Sequence, residues 1–403
     1  MKGRIAWLIV PHLGGMVSVY TTLSSGLRAR GWEVFPVWAG KVPFGQGKAK
    51  LNEVVEILAP ESSDVRECAS ALVHWATERR IDILVRVGEP FVLASLPALP
   101  VSTRVVAKCP NQSQHSYRLV TTGLNRTDLI LVETNRQYED LTKTWHVPES
   151  KCALIMNGVN VDIFRPPVVK DFGERLRLIY TGRLDEATKH VMLLPEIGRA
   201  LAKDSVSFQM EIVGDGPDLM RLEQKIGGFG LANQVKVLGS VPREQLPKLL
   251  QKAHVAIIPS RLDGMSWAFL ESMACGCVPV VSHLHRTTDM VVEDGLNGFL
   301  CRVGDARAFA KAITALANDR GRLESMSMAA RKTIEERFTV DRMVDAHDHA
   351  FTELLSHPSG HPTPVSLPDI HVPKIAESSW RAYVPRPVKN LARTWAERFG
   401  KTL

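Results

Sequence analysis

The sequence predicts an α/β protein with doubly wound parallel sheets in two domains. Short β-branched apolar runs alternate with amphipathic helical segments along most of the chain. Polar or glycine-containing turns follow several of these runs, where sheets of this class bind ligands. The 403 residues amount to about twice an ordinary domain. We therefore expect one domain at residues 1–166, a second at 175–355, and a linker with a basic amphipathic tail at 356–403.

The first domain is predicted to alternate strands and helices. Its first strand leads through Gly14 and Gly15 into an amphipathic helix that ends near Arg30. A glycine pair at this position lets a phosphate approach the backbone, although tight packing explains such a pair equally well. Further helices are expected at 64–80 and 135–145. The predicted strands are 4–11, 33–38, 82–87, 103–108, 128–133 and 152–156.

The second domain shows the same alternation. Its strands are predicted at 177–181, 207–213, 235–238, 254–258 and 278–281. After the fourth of these, a polar turn leads into a helix that carries Met265 and Phe269 on its apolar face and ends at Gly276. Other helices are expected at 243–252, 306–318, 322–338 and 339–355.

Two carboxylates stand out in the unit between the fourth and fifth strands of this domain. Asp263 and Glu271 are eight positions apart, a rise of about 12 Å along a helix. That exceeds the roughly 5–9.5 Å between paired carboxylates that cleave one glycosidic bond. The spacing suits a grip on separate parts of a long polar ligand, with the helix amino end beside Gly264 free for an anion. Alternatively, Asp263 only caps the helix and Glu271 is a solvated surface residue.

Two cations follow the first strand of the second domain. Arg183 and Lys189 lie in one loop, where they can converge on a diphosphate, although such residues are more often solvated. Gly214 and Gly216 form a turn after the next strand, and we interpret them as mainly structural.

Residues 259–282, which read PSRLDGMSWAFLESMACGCVPVVS, resemble the E-x7-E region of retaining nucleotide-sugar glycosyltransferases of family 4. Residues 128–166 resemble the segment that closes the first domain of that family. The resemblance spans roughly residues 4–355 and implies the GT-B fold, in which two Rossmann-like domains face each other. It departs from the family at Asp263, where a glutamate is usual, and at 283–289, where a glycine-rich turn is usual.

The resemblance also implies roles for individual residues. Asp263 would contact sugar hydroxyls, Glu271 the ribose, and Arg183 with Lys189 the donor diphosphate. His115 would lie near the reacting sugar, although a lone histidine in a polar loop is more often a surface residue. The implied donor contacts are completed by two glycine pairs and the helix amino end: Gly14, Gly15, Gly214, Gly216, Gly264, Met265 and Ser266.

The implied activity is transfer of a hexosyl unit, with retention, from a UDP- or GDP-sugar to a glycan or lipid-linked acceptor. The departing phosphate would take the acceptor's proton, and neither a cofactor nor a divalent metal is expected. A non-catalytic subunit or sensor that binds a nucleotide sugar is the alternative from another class. An epimerase of the same fold is a third interpretation.

The charge and cysteine content of the chain indicate which partners and which compartment to expect. The net charge is +7, and the positive excess lies in the first domain and the tail. This charge suggests an anionic membrane surface or a lipid diphosphate, or only a solvated basic surface, and nucleic acid is not expected. The six cysteines are scattered, which predicts reduced thiols and a cytoplasmic protein. No segment approaches the roughly 20 apolar residues that cross a bilayer.

Two features stay outside the resemblance. His283 and His285 could form a metal pair, but the sequence offers no evident third ligand, so no metal site is expected. Residues 356–373 read as a flexible or extended linker. Residues 387–399 form a basic amphipathic helix that either lies on a membrane surface, which would make the protein peripheral, or crosses back onto the first domain.

Overall fold

The computed structural model describes residues 1–9, 14–42, 54–372 and 386–398. Within these ranges the strands form a 7-stranded and a 6-stranded sheet. The strands of the first sheet are β1 (Gly3–Leu8), β2 (Trp32–Ala39), β3 (Glu56–Leu58), β4 (Ile83–Arg86), β5 (Arg104–Lys108), β6 (Leu129–Val132) and β7 (Cys152–Leu154). Those of the second are β8 (Leu176–Thr181), β9 (Phe208–Val213), β10 (Val235–Gly239), β11 (Val255–Ile258), β12 (Val278–Ser282) and β13 (Phe299–Cys301).

The strand order of the two sheets is nearly the same. The first runs β3-β2-β1-β4-β5-β6-β7, the second runs β10-β9-β8-β11-β12-β13, and all the pairs are parallel. In each sheet the direction of winding reverses once, between β1 and β4 and between β8 and β11. Sheets of this kind bind ligands at that reversal, outside the carboxyl ends of the strands.

Thirteen helices accompany the sheets in the described ranges. They are α1 (Gly14–Ala29), α2 (Val65–Glu78), α3 (Pro90–Ser95), α4 (Gln114–Thr121), α5 (Asn135–Glu139), α6 (Leu193–Lys203), α7 (Leu219–Gly228), α8 (Leu246–Lys252), α9 (Trp267–Ala274), α10 (Ala306–Asn318), α11 (Arg320–Arg337), α12 (Val340–Ser356) and α13 (Arg386–Arg398). The described residues contain no helix with the length and apolar character needed to span a bilayer.

Each sheet is buried on both faces. Ile5 and Trp7 of β1 belong to one apolar cluster, and Ala6 and Leu8 belong to another. Because successive strand residues point to opposite faces, the two clusters cover the two sides of the sheet. Both faces of a parallel sheet are covered in doubly wound folds, so the predicted α/β class is confirmed.

Some elements differ from the sequence prediction. The short strands β3 and β13 were not predicted, because three residues carry too little periodicity to detect. Helix α5 ends at Glu139 and continues as a wider π-helical turn over Asp140–Thr144, where one uninterrupted helix was expected. Residues 10–13, at the end of the predicted first strand, lie outside the described residues.

Helix α12 packs on the first domain, although the sequence analysis assigned it to the second. Met343, Val344 and Phe351 belong to the apolar cluster that contains β1 and α1. Lys2 also forms a 2.7 Å ion pair with Asp348. The helical periodicity revealed an apolar face on α12 but not the surface that this face covers.

The described part of the linker after α12 is extended and mostly exposed, and single residues of it contact the first domain. His361 Nε2 lies 2.8 Å from Asp128 Oδ2, and Ile370 is buried in the core of the first domain. Helix α13 then contacts both domains. Its Glu397 accepts a 2.9 Å bond from Arg136 of α5, and Thr394 accepts one of the same length from Arg261 in the second domain.

The turn that joins the domains needs glycine at position 158. A Cβ atom there would lie 2.2 Å from the carbonyl oxygen of Thr339, the residue that caps α12. We expect Gly158→Ala to lower the free energy of unfolding by about 1–3 kcal/mol, as other overpacked sites do. Thermal melting would show a lower midpoint. Gly227→Ala is the control, because a Cβ at Gly227 meets nothing within 4 Å; equal midpoints for the two variants would contradict the prediction.

Candidate active site

The loops after β8 and β11 meet at the reversal of the second sheet. Lys189 Nζ lies 2.7 Å from Asp263 Oδ2, and the Ser260 hydroxyl donates to the same carboxylate oxygen at 3.1 Å. The two charged side chains are 24% and 11% exposed, so the pair is shielded but can be reached from solvent. The structure therefore brings together two of the predicted site residues.

Backbone contacts hold the two loops in register. The carbonyl oxygen of Thr188 accepts from the amide groups of Arg261 and Leu262, at 2.8 and 3.2 Å. The buried Arg261 guanidinium also forms a 2.9 Å ion pair with Glu186 of the first loop. These bonds fix the position of Lys189 relative to Asp263.

Two glycines let the next loop approach closely. A Cβ on Gly214 would lie 1.8 Å from the carbonyl oxygen of Gly182, and one on Gly216 would lie 2.3 Å from that of Leu184. Gly214 also has a φ of +144°, which side chains rarely adopt. Both glycines thus pack against the backbone on either side of Arg183, whose side chain is exposed. This placement agrees with the mainly structural interpretation from sequence.

Gly264 lies at the contact between the two domains. A Cβ there would be 3.2 Å from Glu133 Oε2 at the end of β6. Helix α9 begins three residues later, at Trp267, with Ser266 at its N-cap position. The Met265 side chain is buried in the core, and its carbonyl oxygen accepts a 2.8 Å bond from Asn157. The Met265 side chain therefore faces the core, and the backbone amide is the group of this residue that belongs to the helix amino end.

The geometry rejects the alternative interpretation of the two carboxylates. Ser266, not Asp263, occupies the cap position of α9, and Glu271 is 2% exposed rather than solvated. Because Asp263 precedes the helix, the helical rise does not measure its separation from Glu271. Arg243 Nη2 lies 2.6 Å from Glu271 Oε1. Burial raises the pKa of the Glu271 carboxyl, and the Arg243 guanidinium opposes that rise.

The predicted site residues of the first domain are connected less directly to the Lys189 and Asp263 pair. Gly14 and Gly15 form the first turn of α1, where a loop was expected. His115 is the second residue of α4 and is exposed. The loop that leads into α4 contains Pro110, whose carbonyl oxygen lies 3.6 Å from the Cβ position of Gly264. His115 therefore lies in the loop and helix region that meets the second domain.

Sequence reasoning missed two arginines of the site. Arg243 follows β10 and Arg261 follows β11, so both lie beyond the carboxyl ends of parallel strands. That position was a usable signal, because it is the same rule that identified Arg183 and Lys189. Their partners Glu271 and Glu186 could not be inferred, since each pair joins two different elements of the fold.

The sequence analysis was also wrong about a third ligand near the paired histidines. Asp289 approaches both His283 and His285, and the ligand atoms of all three lie within 4.8 Å of one another. Six residues separate Asp289 from His283, and the turn between them brings the carboxylate back.

Comparison with known proteins identifies the second domain. Residues 165–333 match the family model of glycosyl transferases group 1. This part of the chain is a glycosyl transferases group 1 domain. The group 1 domain contains Arg183, Lys189, Asp263 and Glu271, and the resemblance predicted from sequence is confirmed at this level.

Solved structures show the fold of most of the chain. HepE of Anabaena in complex with UDP and glucose superposes with a TM-score of 0.70 at 18% identity, over 87% of this chain and 99% of that one. Sucrose-phosphate synthase from Thermosynechococcus elongatus gives 0.71 at 17%, over 88% and 99%. Together with the two parallel sheets, these neighbors confirm the predicted GT-B fold.

The curated relatives include two bacterial glycosyltransferases that match about half of this chain. A protein named as the colanic acid biosynthesis glycosyltransferase WcaL of Escherichia coli K12 is 32% identical over 47% of this chain and 48% of its own length. The UDP-Gal:alpha-D-GlcNAc-diphosphoundecaprenol alpha-1,3-galactosyltransferase of Escherichia coli is 28% identical over 52% and 56%. The chain thus spans about half the length of these curated relatives.

A neutral histidine next to Lys189 makes stability depend on pH. Burial, followed by the charge of Arg261, lowers the pKa of His190 to about 3. The unfolded chain takes up this proton below about pH 6.5, whereas the folded chain does not, so stability falls as the pH drops from 6.5 toward 3.

Between pH 7 and pH 5 we expect the free energy of unfolding to fall by about 2 kcal/mol less in His190→Gln than in the wild type. Urea unfolding of the wild type and the variant at both pH values measures this difference. Other titrating groups are common to the two proteins and cancel in the comparison. Equal losses of stability in both would contradict a neutral His190.

Proposed function

We propose that the protein is a retaining glycosyltransferase that transfers a hexosyl unit from a UDP- or GDP-sugar to a glycan or lipid-linked acceptor. The Lys189 and Asp263 ion pair at the reversal of the second sheet carries this proposal. It places a cation and a hydroxyl-binding carboxylate 2.7 Å apart where such sheets bind ligands. A diphosphate and a sugar hydroxyl are the matching groups of a nucleotide sugar.

Charge stabilization is the catalytic contribution we assign to this site. The leaving diphosphate develops negative charge as the glycosidic bond breaks, and preorganized positive groups lower the energy of that state. Lys189, exposed Arg183 and the amino end of α9 would supply them. In the free protein Asp263 neutralizes Lys189, so donor binding exchanges this ion pair for contacts to phosphate and sugar.

Glu271 is assigned to the nucleotide end of the donor. Its carboxylate is buried at the end of the Arg243 side chain, which holds one oxygen and leaves the other for ribose hydroxyls. By analogy with family 4, the departing phosphate takes the acceptor's proton, so no side chain acts as nucleophile and no divalent metal enters the transfer. His115 and the glycines at positions 14 and 15 are proposed to complete the donor pocket from the first domain.

A lipid-linked acceptor and a peripheral position on the cytoplasmic face of the membrane belong to the same proposal. The name of the galactosyltransferase relative specifies a diphosphoundecaprenol acceptor. In addition, α13 exposes Val388, Leu391 and Trp395 while Ala396 and Glu397 face the protein. An exposed apolar edge on a basic helix suits the surface of an anionic bilayer.

Nucleotide binding tests the assigned site without knowledge of the acceptor. We expect UDP or GDP at saturating concentration to raise the melting temperature of the wild type, because a ligand at 100 times its Kd stabilizes by about 2.7 kcal/mol. Lys189→Met and Glu271→Gln should lose most of this shift, since each removes a charge that faces the donor. Lys203→Met, on an exposed position of α6, is the matched control.

A full shift in both site variants would refute the assigned roles. A nucleotide sugar incubated with the wild type then separates the enzyme from a sensor. Slow release of free sugar without acceptor supports the transferase, and binding without any release over days supports the non-catalytic alternative.

The exposed edge of α13 predicts membrane binding. We expect Leu391→Asp to reduce flotation with vesicles of anionic phospholipid, because it places a charge where a 72% exposed leucine contacts lipid. Ala392→Asp adds the same charge at a neighboring exposed position and should reduce flotation less. Equal flotation of these two variants, or none by the wild type, would remove the membrane from the proposal.

A further inference from the structure

We infer that the segment from the end of β12 through the turn at Thr288–Met290 is a binding site for Zn²⁺. The ligands are His283 Nε2, His285 Nδ1 and Asp289 Oδ2. These atoms come from one short segment of the second domain, at the carboxyl end of β12. The site is separate from the Lys189 and Asp263 pair and does not depend on the transfer reaction.

The distances fit a shared cation better than direct hydrogen bonds. Asp289 Oδ2 lies 3.4 Å from His283 Nε2 and 3.5 Å from His285 Nδ1. Charge-assisted bonds between such groups are usually about 2.7–2.9 Å long. Two ligands of one tetrahedral zinc, each about 2.0–2.1 Å from the metal, stand about 3.3 Å apart. The carboxylate oxygen is therefore spaced from each imidazole nitrogen as two ligands of one zinc would be, and all three ligand atoms lie within 4.8 Å of one another.

The backbone of the loop holds the ligands in place. Leu284, between the two histidines, is fully buried, whereas His283 and His285 are 47% and 50% exposed. Thr288 Oγ1 accepts from the Leu284 amide and donates to the Ser282 carbonyl oxygen, both at 2.8 Å. Turning of the side chains would then be enough to complete the site.

The second carboxylate oxygen of Asp289 is also fixed. It accepts a 2.9 Å bond from the backbone amide of Thr287, whose side chain is buried. Partners of this kind orient a ligand and raise its affinity for a metal. Only Oδ2 is then left to face the histidines.

The chemistry of the ligands favors zinc over the alkaline-earth cations. Two imidazoles with one carboxylate suit Zn²⁺ and similar transition metals, whereas Mg²⁺ and Ca²⁺ prefer oxygen ligands. Three protein ligands leave a fourth position, which the exposure of the histidines opens to water.

Metal binding would also change the contacts of Arg286, which lies between the two domains. Arg286 Nε lies 3.3 Å from His285 Nε2, and its guanidinium forms an ion pair with Glu139 of α5. When His285 binds a cation through Nδ1, its Nε2 carries the proton and no longer accepts from Arg286. Arg286 is then left to Glu139 alone, in the first domain. The ion pair with Glu139 is present without the cation, so a bound cation removes one contact of the guanidinium and leaves the one to the first domain.

Zinc titration of the untagged, full-length protein in competition with a chromophoric chelator tests the site. We expect one tight equivalent in the wild type and an affinity at least about tenfold lower in His283→Ala and Asp289→Asn. His349→Ala, an exposed histidine on α12, should bind like the wild type. Cys152→Ser is the second control, because Cys152 is the most exposed of the six cysteines.

Two outcomes would overturn the site. One is an affinity of Asp289→Asn and His283→Ala equal to that of the wild type. The other is a loss of zinc binding in Cys152→Ser alone. Melting curves without metal should be the same for the wild type, His283→Ala and His349→Ala, because both histidine side chains are exposed. Mg²⁺ at the same concentrations should not displace the zinc that the protein holds in the presence of the chelator.

Discussion

The ion pair between Lys189 and Asp263 depends on the reversal of winding in the second sheet. Strands β8 and β11 are neighbors there, yet their crossover helices leave toward opposite faces, so the two loops open side by side. The amides that reach Thr188 lock the loops together. The glycine contacts on either side of Arg183 and the loop before α9 belong to the same two crossover connections and their neighbor after β9.

Polar groups make many of the contacts between the domains. A buried ion pair of Lys108 and Glu133, at the ends of β5 and β6, faces Gly264. Gln112 donates to Thr287 across the same boundary. Paired buried charges contribute little net stability, because desolvation offsets their attraction, but a misplaced partner leaves a costly unpaired charge. Such contacts therefore fix the relative position of the two domains but add little to the free energy of their association.

The C-terminal segment fastens the two domains together. Helix α12 returns to the first domain, the linker runs along it, and α13 crosses to touch both. The buried pair of Arg136 and Glu397 fixes the end of α13 against α5. Burial raises the pKa of the Glu397 carboxyl, and the Arg136 guanidinium opposes this rise. Helix α13, which the sequence analysis placed either on a membrane surface or on the first domain, therefore contacts both domains.

Local pattern determined the class of this protein and the position of most strands, because apolar periodicity and turn residues act over a few neighboring residues. It also placed Arg183, Lys189, Asp263 and Glu271 beyond strand ends, where ligands bind. Tertiary structure alone decided which of them meet. Arg243 reaches Glu271, and Asp289 returns to His283, through loop geometry that no periodicity encodes. It likewise decided the placement of α12 and α13, since an amphipathic helix has an apolar face but nothing in its own sequence says which surface that face will cover.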